Sequence, residues 1–131
     1  MKRVVFIVFA LFGLLALGGS SWPSSRSIAA PSRESAVVEF TRTVKLNGAL
    51  LRGVYTILHD EERMARGEPC TYVYRGRKID EKKLVLSFHC IHVERERTTA
   101  FKATIPQYGP YEVPEITEIQ FAGSTAGHKV P

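Results

Sequence analysis

The chain has 131 residues, with 18 Lys and Arg against 13 Asp and Glu, for a formal net charge of +5. That length suits one domain with a modest core. Its bases alternate with acids, as in Glu94-Arg95-Glu96-Arg97, so a nucleic-acid stripe is not favoured, and so short a folded part does not favour a deep enzyme cleft.

The N-terminus opens Met1-Lys2-Arg3 and runs apolar from Val4 to Leu17. Positive charge followed by about 14 apolar or small residues matches the two leading regions of a secretory signal, and the run falls short of the ~20 residues that a membrane span needs. Ala16-Leu17-Gly18 and Ser27-Ile28-Ala29 each offer small residues for a cleavage site, and no cysteine lies near enough for lipid attachment. Residues 1–25 are therefore expected to be a signal peptide, with an uncleaved membrane anchor as the competing expectation. Cleavage after Gly18 removes Lys2 and Arg3 and lowers the net charge from +5 to +3. Residues 26–35, rich in Ser, Pro and Ala, read as a flexible leader. Residues 36–131 read as a single β domain. The expected location is periplasmic or secreted, with no nucleic-acid partner and no stable membrane association after cleavage.

Val37 to Leu46 alternates, with Val38, Phe40, Val44 and Leu46 on one parity, which predicts a strand. Asn47-Gly48 predicts a two-residue hairpin turn, because both positions accept positive φ. Ala49 to Leu58 is then the return strand. Leu46 should face Ala49 and Phe40 should face Tyr55, with Leu51, Gly53, Tyr55 and Ile57 toward the core. From His59 to Gly67 the pattern breaks. Asp60 suits a helix cap, Glu61 and Glu62 a first turn and Gly67 an end, which predicts one or two helical turns pinned to the sheet by Met64.

Thr71–Arg75 and Leu84–Val93 are the next expected strands, with Tyr72, Tyr74, Leu84, Leu86 and Phe88 making one apolar face. Ala100–Ile105 and Glu115–Phe121 follow as strands, and Gly123–Pro131 reads as a polar tail. The expected fold is all-β, a small antiparallel sandwich or barrel of about six strands with one short helical turn.

Cys70 and Cys90 are the two cysteines, and export favours a disulfide between them. A hairpin centred near Asp80 places Cys70 opposite Cys90 and Val73 opposite Ser87. A directly opposed pair meets the Cα separation of under ~7 Å that a disulfide needs. Closing that loop stabilises by ~3 kcal/mol in the chain-entropy account. The alternative is a metal centre. Cys90 and His92, two apart on one strand, share a face. Cys70, His59, His89, Met64 and His128 are the residues available to complete a zinc or copper site. His89 and His92 read otherwise as exposed strand and rim residues, and His128 as an exposed tail residue. His59-Asp60 reads as an acid–base pair or, more simply, as a strand end and helix cap.

No nucleophile elbow, phosphate-binding loop, zinc-protease motif or dinucleotide fingerprint occurs, and Ala122 to Gly127 reads as a loop. Two segments, Leu51 to Asp60 running into Met64 to Thr71, and Phe88-His89-Cys90, resemble small exported bacterial proteins of unknown function. The resemblance covers about 45 residues. It implies no activity, but it does imply that His59, Cys70, His89 and Cys90 share one neighbourhood. The sequence thus points to an exported, disulfide-stapled module, not an enzyme and without a cofactor, that contacts a protein or small-molecule partner. An exported zinc- or copper-binding protein is the alternative.

Overall fold

The computed structural model describes residues 33–131. The expected signal segment and most of the expected leader lie outside them. The Asn47-Gly48 turn, with φ of 44° and 85°, joins β1 (Arg33–Leu46) to β2 (Ala49–Asp60). Leu46 faces Ala49 and Val44 faces Leu51, as the turn dictates. Between Phe40 and Val44 a bulge adds two residues to β1, so Phe40 faces Gly53 and Val38 faces Tyr55. The expected Phe40–Tyr55 pairing is thereby corrected. A slip of two keeps every side chain on its own face, so Phe40, Val44, Leu46, Leu51, Tyr55 and Ile57 are all buried as expected. β1 begins at Arg33, so residues 33–35 are strand and not leader.

The domain is an all-β sandwich. Short helix α1 (Glu61–Ala65) leads to β3 (Thr71–Arg75), and a one-turn 3-10 helix (Glu81–Lys83) leads to β4 (Leu84–Phe88). Then come β5 (Ile91–Glu94), β6 (Lys102–Thr104), β7 (Glu115–Ile116), β8 (Glu118–Gln120) and β9 (Ala126–Lys129). One sheet has the order β4-β3-β2-β1-β7 and the other β5-β9-β8-β6. All pairings are antiparallel except β1 with β7. Strands of both sheets supply the core, where Ile119 and Phe121 meet the β1–β2 hairpin residues.

Among the described residues nine strands replace the expected six or so, for physical reasons. Leu84–Val93 is two strands, because the chain leaves the first sheet at His89-Cys90 and enters the second at Ile91. Glu115–Phe121 likewise splits between the sheets, and only Lys102–Thr104 of Ala100–Ile105 is paired. The expected tail contains β9, which lies between β5 and β8. In the β3–β4 hairpin Val73 faces Leu86 and Tyr72 faces Ser87, one residue off the expected register. An odd slip changes faces. Tyr72 and Tyr74 therefore pack with Leu58 in a separate cluster, while Val73 and Phe88 enter the main core. Arg63 of α1 stacks over the Tyr72 ring at 4.4 Å. Met64 is 39% exposed and does not pin the helix. Asp60 caps α1, accepting from the Glu62 and Arg63 amides at 3.0 and 3.1 Å.

β9 is held tightly. Arg95 donates twice to the Glu118 carboxylate, at 2.7 and 2.8 Å, beside Gly127. A Cβ at Gly127 would lie 2.6 Å from Glu118 Oε1 and 2.9 Å from Val93 Cγ2. Glu118 cannot move freely, since it is buried and doubly bonded to Arg95. Gly127→Ala is expected to cost about 1–3 kcal/mol of stability through overpacking. A denaturation midpoint equal to that of the unaltered protein would contradict this packing.

Candidate metal centre

Two rows of residues meet at one end of the sandwich. In the first sheet the registers align Glu34 of β1, His59 of β2, Thr71 of β3 and Phe88 of β4 across four strands. Paired residues share a face, and this face is the inner one. In the second sheet Ile119 of β8, His128 of β9 and His92 of β5 form the corresponding row. His59 and His128 therefore come from opposite sheets. Their rings meet with centroids 4.0 Å apart, and each residue is only 1% exposed.

The cysteines close this end. Cys70 stands just before β3, its carbonyl accepting from the Asp60 amide at 2.8 Å. Cys90 stands where the chain crosses between sheets, and its amide donates to Cys70 Sγ at 2.8 Å. The two sulfurs lie at disulfide distance, with Cα atoms 6.1 Å apart, inside the usual range for a bridge. Cys90 Sγ lies 3.8 Å from His59 Nδ1 and 3.7 Å from His128 Nδ1. Ligand atoms of His59, Cys70 and Cys90 fall within 4.8 Å of one another.

The far side of each imidazole faces a carboxylate. His59 Nε2 is 3.0 Å from Glu61 Oε1. His128 Nε2 is 3.6 Å from Glu34 Oε2, beyond hydrogen-bond reach, and has no hydrogen-bond partner among the described residues. The Glu61 carboxylate at His59 Nε2 favours the proton on that nitrogen and leaves the His59 Nδ1 lone pair aimed at Cys90 Sγ. A histidine metal ligand is oriented in this way. Burial holds the pKa of His128 down to about 4, with His59 and His92 pushing the same way and Glu61 and Glu118 opposing. His128 is thus neutral near pH 7, as ligation requires.

Of the candidates named from sequence, the structure gathers His59, Cys70 and Cys90 in one group, with His128 Nδ1 meeting it at Cys90 Sγ. His89 and Met64 lie apart from it, and His92 stands beside the His128 ring, with centroids 6.3 Å apart, outside the group. His92 lies on edge strand β5, half-exposed, and pairs with Glu94 at 3.0 Å. Its expected sharing of a strand with Cys90 fails because β5 begins at Ile91. His89 is exposed, and Met64 sits on the exposed helix. His128 is corrected from an exposed tail residue to a buried strand residue. Glu34 and Glu61 escaped sequence reading. The turn register alone would put Ala36 opposite His59, and the two-residue bulge substitutes Glu34.

The depressed pKa of His128 has a stability consequence in the metal-free protein. Its contribution is fully present above the ordinary histidine value of 6.5 and is lost as pH falls through about 4. Stability should drop by on the order of 2–3 kcal/mol from this group between pH 7.5 and 4.5. Urea titrations at the two pH values should show the drop, and His128→Asn should remove that part of it. An unchanged pH dependence in the variant would contradict the assignment.

Comparisons with protein-family models, curated proteins and solved structures returned no match, so the reading of this centre rests on its own geometry.

Proposed function

We propose that the protein is an exported metal-binding β domain. Cys70, Cys90, His59 and His128 hold one thiophilic ion, Zn(II) or Cu(I), when the cysteine pair is reduced. The carrying observation is the convergence of two buried Nδ1 atoms, from opposite sheets, on Cys90 Sγ at 3.7 and 3.8 Å. A tetrahedral ion bonded to sulfur at ~2.3 Å and to nitrogen at ~2.05 Å holds those ligand atoms ~3.6 Å apart. Two thiolates and two imidazoles suit zinc or cuprous copper and disfavour magnesium or calcium. Four protein ligands leave no open position, so the centre binds and holds its ion and does not activate water. Glu61 orients the His59 ring from behind. Export is supported by the charged and apolar opening of the chain and by the cysteine pair.

A second reading is the disulfide-stapled module that acts through surface contacts with a protein or small molecule. It is favoured by the sulfurs lying at bonding distance.

The experiment is metal titration of the full chain, exported by its host and then reduced with a phosphine. Co(II) is expected to bind one per chain, with tetrahedral d–d bands and thiolate charge transfer, and Zn(II) to displace it. Glu61→Gln should weaken zinc by about 10–100-fold, the usual cost of losing an outer partner of a ligating histidine. A folded, reduced protein that takes up no cobalt or zinc would leave the stapled module as the surviving reading.

A further inference from the structure

We infer, resting on the metal-binding reading, that this centre is redox-gated. Disulfide and metal dithiolate are exclusive states of Cys70 and Cys90, and an external thiol opens the disulfide by attacking Cys90. Thiolates are the ligands for a thiophilic ion, and a disulfide withdraws both of them at once. His59 and His128 then remain as two nitrogens stacked between sheets, too few to complete a tetrahedral shell.

The two sulfurs are not equivalent. Cys70 is 1% exposed, whereas Cys90 is partly exposed and lies between the exposed residues His89 and Ile91. The Cys90 amide donates to Cys70 Sγ at 2.8 Å, which stabilises negative charge on Cys70 as the disulfide breaks. A better-stabilised leaving thiolate departs faster. Access and leaving-group stabilisation therefore select the same direction of attack.

The steps balance with a small-molecule thiol as reductant. The thiolate sulfur bonds to Cys90 Sγ, the Cys70–Cys90 bond breaks, and its electron pair leaves on Cys70. A second thiolate attacks the external sulfur of the mixed disulfide, and Cys90 leaves with its own electron pair. Two external thiols become one disulfide and lose two protons, while the protein pair gains two electrons. The ion then binds both thiolates, displacing any protons they have taken up. In reverse, an external disulfide accepts two electrons from the pair and the ion is released.

The test uses the unaltered full chain, with glutathione as thiol and zinc as ion. Zinc-loaded reduced protein is exposed to oxidised glutathione while free zinc and alkylatable thiols are followed together. One zinc should be released for each pair of thiols lost, and reduction should restore binding. Zinc affinity of the disulfide form should be lower by more than about 100-fold, exceeding the effect of losing an outer partner. Peptide mapping under limiting glutathione should place the first mixed disulfide on Cys90. Equal zinc affinity in both states would overturn the gating and leave the metal centre standing. Zinc binding in neither state would overturn the metal reading itself. A first adduct on Cys70 would overturn the direction of attack.

Discussion

The position at which the chain crosses from one sheet to the other governs the rest of the domain. After β4 the chain has only His89 and Cys90 before it must pair in the second sheet. The Cys90 amide is tied to Cys70 Sγ, and Cys70 is tied through its carbonyl to the end of β2. That crossing sets where β5 begins. β5 fixes β9 by pairing Ile91 with Lys129 and His92 with His128. His128 arrives above His59 as a result. The sulfur pair and the imidazole pair are thus one structural unit at the β4–β5 crossing, while the β7–β8 step joins the sheets a second time.

Such a unit is costly unless its polar groups are partnered. Two buried imidazoles and a buried carboxylate end forgo hydration, and an apolar packing of similar shape would avoid that penalty. The arrangement nevertheless turns both Nδ1 atoms inward and sets a carboxylate behind each ring. In the proposed function an ion takes up both Nδ1 lone pairs in place of their long contacts with Cys90 Sγ, and the sulfurs offset its charge. The pieces that look wasteful for a sandwich end are the pieces a tetrahedral ion uses.

How much of this was legible depended on locality. The β1–β2 hairpin could be read because Asn47-Gly48 fixes its own geometry, and because the later bulge adds two residues and spares the faces. The β3–β4 hairpin misled because both faces of that sheet bury apolar side chains. Tyr72 and Tyr74 are as well covered on the outer face as Val73 is on the inner one, so parity could not choose the register. Cys70 and Cys90 come within disulfide distance despite that slip, since both stand at the open end of the hairpin, where one residue of offset still leaves Cα atoms 6.1 Å apart. His128 was missed as a core residue because Ala126–Lys129 has no apolar period. Its burial comes from strands on either side of it. Glu34 was hidden by the bulge, and Glu61 by serving visibly as a first-turn helix residue.

X-ray absorption at the zinc edge of the reduced, zinc-loaded full chain tests the central claim most directly. The account predicts two sulfur scatterers at ~2.3 Å and two nitrogen scatterers at ~2.0–2.1 Å, with imidazole multiple scattering. A shell of oxygen and nitrogen alone would contradict it, because the ion would then be bound elsewhere than at Cys70, Cys90, His59 and His128.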